Sequence, residues 1–375
     1  SGMSAGSFLG VQFRNQMDRE EDRIAQAEFG DVVQLTGQVV DVREKSEKLE
    51  TLVCVTGQHR EMLKQVLDIF KVVPDYDMAI MKKGQDLTDV TTAILTGMRE
   101  ILRKEKPDIV LVHGDTSTAF AASLASFYQQ IPVGHVEAGL RTYNMKSPYP
   151  EEFNRQAIGL TASLHFAPTQ KAADALLKEG KDPERIFVTG NTGIDALHYT
   201  VRSDFYHPET EWAHRRENLG EPMRDMFRAI RRIVEEFTDV KVIYPVHLNP
   251  QVRKIADEEF GGCDRIHLIE PLDVVEFHNL MKASYLIMTD SGGIQEEAPA
   301  LGKPVLVMRD TTERPEGVEA GTLKLAGTKM EDIYRECRRL LTEPETYRKM
   351  SEARNPYGDG TASIKIRKIL EDIDA

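Results

Sequence analysis

A chain that alternates short apolar runs with amphipathic stretches, and ends each run on a small or polar residue, has few folds open to it. From Leu52 onward this sequence keeps that rhythm. Leu52-Val53-Cys54-Val55 leads into Gly57 and a helical pattern over His59–Phe70. Asp108-Ile109-Val110-Leu111-Val112 stops at His113-Gly114-Asp115, and a helical pattern follows through Gln129. Ile131–Val136 stops at Glu137, Leu164-His165-Phe166 leads into Pro168 and a helix to Glu179, and Ile186-Phe187-Val188 stops at Thr189-Gly190-Asn191. A polar stretch near 202–213 interrupts, and the rhythm resumes. Val240–Tyr244 precedes His247, Ile266–Ile269 precedes Glu270, Tyr285–Met288 precedes Asp290, and Pro304–Val307 precedes Arg309. Short apolar runs alternating with helices predict parallel strands covered on both faces. Two such arrays in succession predict an α/β protein of two doubly wound, Rossmann-like domains. Ligands of such sheets bind at the carboxyl ends of the strands, so two facing sheets predict one ligand in a central cleft.

The segment Asp290-Ser291-Gly292-Gly293-Ile294-Gln295 carries the sharpest chemical expectation. It lies between the run Tyr285–Met288 and the helix start Glu296–Leu301. A strand, a small-residue turn and a helix N-terminus point bare backbone N–H groups at an anion, and the helix macrodipole adds about half a positive charge there. Two glycines allow a sharp turn and a close approach of phosphate. Glu297, one turn in, is within reach of sugar hydroxyls. An ordinary glycine-rich strand–helix turn has the same look.

The other strand ends complete an inventory. Asp115, Glu137 and the loop Arg141–Pro150 come from the first array. His247, Asp290–Gly293 and Arg309–Arg314 come from the second. Carboxylates dominate the first set and phosphate-compatible groups the second. That division suits a nucleoside diphosphate held by the second domain, with its sugar facing acids and bases of the first. A lone strand-end carboxylate is as readily a helix N-cap. Glu151 and Arg155 lie four apart behind Pro148 and Pro150, so they share one face of a helix. They suit either a surface ion pair or a carboxylate oriented by an arginine. His214-Arg215-Arg216 gathers three basic groups that face either solvent or an anion.

The formal net charge of −13 argues against a nucleic-acid partner, which needs a basic face. Cys54, Cys263 and Cys337 are widely spaced and form no CxxC pattern, so reduced thiols, a cytoplasmic setting and no metal site are expected. No apolar run reaches the length of a membrane span.

Read in order, several blocks resemble one family. They are His113-Gly114-Asp115-Thr116, Gly134–Thr142, Pro150–Arg155, His214–Asn218, Tyr244–His247, Thr289–Pro299, Arg309–Glu316 and Asn355–Gly360. Together they resemble the non-hydrolysing bacterial UDP-N-acetylglucosamine 2-epimerases, over about residues 49–372. The resemblance implies the two-domain fold of the glycosyltransferase-B-like nucleotide-sugar enzymes, and a homodimer. The domains expected are 1–195, 196–358, and a C-terminal segment 359–375 crossing back to the first. It implies acid–base work by Asp115, Glu137 and Glu151, with Arg155 and His214 near the substrate, and Ser291, Gly292, Gly293 and Glu297 on UDP. It implies no cofactor, and a product, UDP-N-acetylmannosamine, used for cell-envelope polysaccharide. A second UDP-N-acetylglucosamine site beside the first would match Gln58, Arg215 and His247. Glu61 and Gly84 replace two further positions of that site, so weak or absent activation by substrate is expected.

Two departures stand out. Residues 1–48 lack the family's Gly-Thr-Arg-Pro-Glu strand end, and Val32–Val40 reads only as an edge strand between Gly30 and Gly37. Thr210-Glu211-Trp212-Ala213 is too short and polar for the strand the family has before His214. Reduced stability and activity follow as expectations. The sequence therefore leaves three functions open: an epimerase, a non-catalytic nucleotide-sugar binder, and a UDP-sugar hydrolase or transferase.

Overall fold

The computed structural model describes residues 46, 48–57, 66–80, 82, 84–146, 148–202, 221–246, 250–270, 272–312 and 314–372. Residues 1–45, with Val32–Val40 among them, residues 210–213, and Gln58, Glu61, His214, Arg215 and His247 lie outside these residues. The described chain forms two compact units. One takes the residues up to Tyr199 and from Tyr357 onward, and the other takes Thr200–Pro356.

In the first unit the strands are β1 (Cys54–Val55), β2 (Tyr76–Asp77), β3 (Val110–His113), β4 (Val133–Val136), β5 (Leu164–Ala167) and β6 (Ile186–Val188). All pair in parallel, as β1-β2 and as β3-β4-β5-β6. Between the strands run α1 (Leu87–Glu105), α2 (Ser117–Tyr128), α3 (Glu151–Thr161) and α4 (Gln170–Lys178), and α5 (Thr192–Thr200) follows β6. Helix α1 shows why this pattern folds as it does. Asp86 and Asp89 form a reciprocal capping box, and Val90, Ile94, Met98 and Leu102 recur every four residues as a buried stripe. The stripe joins Val112, Val133 and Ile158 in one core.

The second unit holds β7 (Val242–Pro245), β8 (Ile266–Ile269), β9 (Ile287–Thr289), β10 (Val305–Val307) and β11 (Leu323–Leu325). These too are parallel, as β7-β8 and as β9-β10-β11. Its helices are α6 (Glu221–Glu236), α7 (Pro250–Phe260), α8 (Val274–Ala283), α9 (Ile294–Ala300), α10 (Pro315–Ala320), α11 (Met330–Thr342) and α12 (Pro344–Ser351). Met223, Met226, Phe227, Ile230, Ile233 and Val234 line one side of α6. Phe227, Tyr244 and Phe260 close the core, with ring centroids 4.5–6.0 Å apart.

The last helix, α13 (Ala362–Asp372), belongs to the first unit. Asp195 of α5 accepts the Ala362 and Ser363 amides at 3.1 and 2.5 Å, capping α13 from far away in sequence. Ile366 packs on Leu164 and Phe166. Gly360 touches His198 so closely that a Cβ there would lie 2.2 Å from the ring.

His135 of β4 and His165 of β5 are register partners, both buried. His135 Nε2 donates to the Gly114 carbonyl at 2.8 Å. Burial is the main reason its pKa falls to about 3, and burial likewise brings His165 to about 4. Below the unfolded value near 6.5 the unfolded chain takes a proton that folded His135 refuses. Stability is therefore complete above that pH and drops by about 1.4 kcal/mol per pH unit below it for this residue. In His135→Gln, the amide keeps a donor toward Gly114 but does not titrate. Urea unfolding at pH 7.5 and pH 5 should show a shallower acid loss for the variant than for the parent. Equal loss in both would remove His135 from the acid response.

Candidate functional site

In the first unit the site grows from two neighbouring strand ends. Gly114 turns the chain after β3 with φ +69° and donates to the Val136 carbonyl at 3.0 Å. Asp115 follows. It does not cap the next helix, because Thr116 does so, accepting the Ala119 amide at 3.1 Å. Since His113 pairs with Val136 in register, Asp115 and Glu137 emerge from adjacent strands on the same edge. Glu137 is not a cap either. It sits in the left-handed region at φ +64°, a conformation that costs a residue with a Cβ about 1–2 kcal/mol. Its Oε2 lies 4.0 Å from Nδ1 of buried His113.

Helix α3 brings up the remaining groups. Glu151 is its first residue and is buried. Arg155, one turn on, donates to Asp115 Oδ2 at 2.6 Å and lies 3.3 Å from Glu152 Oε2. Asn154 Nδ2 donates to the Asp115 carbonyl at 2.8 Å, tying α3 to the end of β3. Asp115, Arg155 and the start of α3 are thus one assembly. Glu152, which the sequence reading passed over, is its buried anchor. Its carboxylate accepts the Thr142 and Tyr143 amides at 2.9 and 3.0 Å and the Gln156 amide at 2.8 Å. Burial alone would push the Glu152 carboxyl up. The hydrogen bonds from Gln156 and the loop amides, with Arg155, outweigh it and hold the group below the usual carboxylate value. The i,i+3 spacing of Glu152 and Arg155 was the available signal.

In the second unit Ser291, Gly292 and Gly293 form the buried turn between β9 and α9. Neither glycine of this turn is left-handed. Gly293 has φ −62° and ψ −41°, and Gly292 is not among the glycines with positive φ. The turn therefore needs no left-handed residue, and close approach to the backbone is the remaining reason for glycine. The Ser291 amide donates to Thr289 Oγ1 at 3.0 Å. Gln295 Nε2 donates to the Ser291 carbonyl at 3.0 Å, and its Oε1 accepts from Thr312 Oγ1 at 2.6 Å. Two acidic residues fill the first turn of α9. Glu296 is neutralised by Arg314, whose Nε is 2.5 Å away in a fully buried pair. The pair fixes Arg314 through Nε, while its Nη1 is buried without a hydrogen-bond partner. Glu297 is also buried, with His278 Nε2 3.5 Å from its Oε2. Arg309 Nη1 reaches the Asp290 carbonyl at 3.5 Å.

The described residues thus contain Asp115, Glu137, Glu151 and Arg155 grouped in the first unit. Ser291, Gly292, Gly293 and Glu297 are grouped in the second. Among the described residues no helix is long and apolar enough to cross a membrane.

Comparison with known proteins adds the family. The family described as UDP-N-acetylglucosamine 2-epimerase matches residues 42–371. UDP-N-acetylglucosamine 2-epimerase of Bacillus subtilis is 61% identical, over 88% of this chain and 89% of its own. The crystal structure of the Neisseria meningitidis UDP-GlcNAc 2-epimerase, bound to UDP-GlcNAc, is similar with a TM-score of 0.83 and 43% identity, covering 90% of this chain and 96% of that one. The Methanocaldococcus jannaschii UDP-GlcNAc 2-epimerase, in complex with UDP-GlcNAc and UDP, is similar with a TM-score of 0.75 and 30% identity, covering 91% and 96%. Such likeness carries the glycosyltransferase-B-like fold as well as the two parallel α/β units seen here. The chain belongs to the UDP-N-acetylglucosamine 2-epimerase family.

Proposed function

We propose that this protein inverts C2 of UDP-N-acetylglucosamine reversibly, giving UDP-N-acetylmannosamine. The observation that carries the reading is the Asp115–Arg155 pair beside the strained Glu137, on adjacent strand ends, in a chain of this family. The C2 proton has no neighbouring carbonyl and is barely acidic. Breaking the C1–O bond first sends its electron pair to the diphosphate and leaves an oxocarbenium ion. A base then takes the C2 proton, and the C–H electrons form a C1–C2 double bond, giving a glycal and UDP. Addition of a UDP oxygen to C1, with a proton delivered to C2 on the opposite face, completes the inversion. This needs two acid–base groups and a holder for the departing diphosphate. Asp115, Glu137 and Glu151 are assigned the proton transfers, Arg155 the orientation of Asp115, and His214 a place near the substrate. Ser291, Gly292, Gly293 and Glu297 are assigned to UDP, Glu297 to its ribose hydroxyls. Gln58, Arg215 and His247 are assigned to the second nucleotide-sugar site, and the cytoplasm is the expected setting. Proton NMR in D2O with UDP-N-acetylglucosamine should show UDP-N-acetylmannosamine with deuterium at C2. Binding without exchange would instead support a non-catalytic binder, and free sugar as the end product a hydrolase.

Glu137 offers a sharper check, because its backbone strain and its carboxylate can be separated. Glu137→Gln should lower turnover by about a hundredfold or more while leaving UDP affinity within several-fold. Glu137→Gly should lose turnover equally yet gain about 1 kcal/mol in stability, since glycine adopts positive φ freely. Rates and denaturant midpoints would be measured on both. Near-normal turnover in Glu137→Gln would take this carboxylate out of the mechanism.

A homodimer is the assembly this reading expects. Phe153 and Leu160 are seven apart on α3 and exposed, as are Phe127 and Tyr128 at the end of α2. Phe153 also packs edge-on against Phe120 of α2, with centroids 5.5 Å apart. Such an apolar surface suits burial against a second copy. Light scattering should give twice the chain mass, falling toward the monomer in Leu160→Asp. A monomeric parent protein at micromolar concentration would refute the assembly.

A further inference from the structure

We infer that His278 is a positioning residue for Glu297, and through it a determinant of ribose recognition. The inference rests on the assignment of Glu297 to the ribose made above. His278 lies inside α8 and is fully buried. Its Nδ1 is 2.6 Å from Thr200 Oγ1, and its Nε2 is 3.5 Å from Glu297 Oε2. Both carboxylate oxygens of Glu297 are buried and lack a hydrogen-bond partner, as does His278 Nε2. A buried carboxylate with no donor is costly, so this group stands ready for donors that a ligand brings. Two sugar hydroxyls are such donors.

The tautomer of His278 follows from what faces each nitrogen. A carboxylate only accepts, so the nitrogen beside it carries the proton. Nδ1 then accepts from the Thr200 hydroxyl. The ring is fixed from behind and presents Nε2–H to Glu297. The present gap is longer than a good hydrogen bond, as contacts around a ligand site commonly are before the ligand arrives. The next residue reinforces the hold. Asn279 Nδ2 donates to the Thr200 carbonyl and to the Val275 carbonyl, both at 2.7 Å, and its Oδ1 accepts the Arg202 amide at 2.8 Å. Side chains of α8 thus grip residues 200–202 and, through His278, reach the carboxylate of α9.

Two amide replacements divide the two nitrogens. His278→Gln places a donor near the Nε2 position, and His278→Asn keeps a polar group near Nδ1 but falls short of Glu297. Calorimetry would compare UDP with 2′,3′-dideoxy-UDP on the parent protein, both variants and Glu297→Gln. The parent should prefer UDP by about tenfold or more, the size expected of hydrogen bonds to a charged acceptor. His278→Gln should keep that preference. His278→Asn should reduce it to within about threefold, with dideoxy-UDP affinity unchanged, and should add nothing in the Glu297→Gln background. A His278→Asn protein that discriminates like the parent overturns the inference. So does one that loses dideoxy-UDP equally, because the damage would then lie outside ribose reading. A parent protein that does not discriminate would instead overturn the ribose assignment of Glu297 itself.

Discussion

The guanidinium of Arg155 is the group on which the buried polar cluster of the first unit depends. It is buried, and burying a cation is tolerable only when its partners are close and well aimed. Asp115 supplies one partner from the end of β3 and Glu152 another from the same helix. Removing either would leave a buried charge short of compensation, at about 3–5 kcal/mol. The same pairs do local work. Glu152 holds the amides of Thr142 and Tyr143, so the loop after β4 is fixed by the residue that flanks Arg155. Asp115, pinned on its carboxylate by Arg155 and on its carbonyl by Asn154, has little freedom left. Such fixing suits the proton-transfer role proposed for Asp115, since that role depends on being aimed before the substrate arrives.

The second unit solves an opposite problem. The turn proposed for a diphosphate is followed by two glutamates in the first helical turn, whose charges oppose an anion. The structure treats them differently. Glu296 is cancelled by Arg314 within a fully buried pair, and its carbonyl takes the Asn355 amide at 2.9 Å. Glu297 is left with an imidazole and two unfilled oxygens. One carboxylate is therefore tied into the scaffold by a guanidinium while its neighbour faces only an imidazole. Adjacent identical residues have separate roles because successive positions on a helix point about 100° apart.

Much of this was legible in the sequence. Strand ends were, because parallel strands covered on both faces read as apolar runs that stop at a polar residue. Nine such runs coincide with β1, β3–β10. The strands β2 and β11 were not, since Tyr76-Asp77 is polar and Leu323-Lys324-Leu325 alternates over three residues at a sheet margin. Asp115, Glu137 and Arg155 were legible as candidates, but their partners were not. The Asp115–Arg155 pair joins residues forty apart, and their distance is set by how α3 docks on the end of β3. His278 was invisible for another reason. Between Phe277 and Leu280 it reads as one more position in a buried helix, and nothing in the sequence shows Thr200 on one side of it and Glu297 on the other.

The same logic governs where the chain passes between units. At the first crossing, Tyr199 packs at a tilt against Phe70, ring centroids 5.8 Å apart, while the next residue, Thr200, is held by His278 and Asn279. At the second, Asn355 donates to Glu296, and two residues later Tyr357 accepts the Asn191 amide at 2.7 Å. Each crossing is thus anchored on both sides within two residues. Anchors this close leave few backbone dihedrals free at either crossing. One anchor of each crossing leads to α9, through His278 to Glu297 and through Asn355 to Glu296. One crossing thus reaches the Glu297 carboxylate through His278, and the other the backbone carbonyl of Glu296 through Asn355, so both converge on the first turn of one short helix.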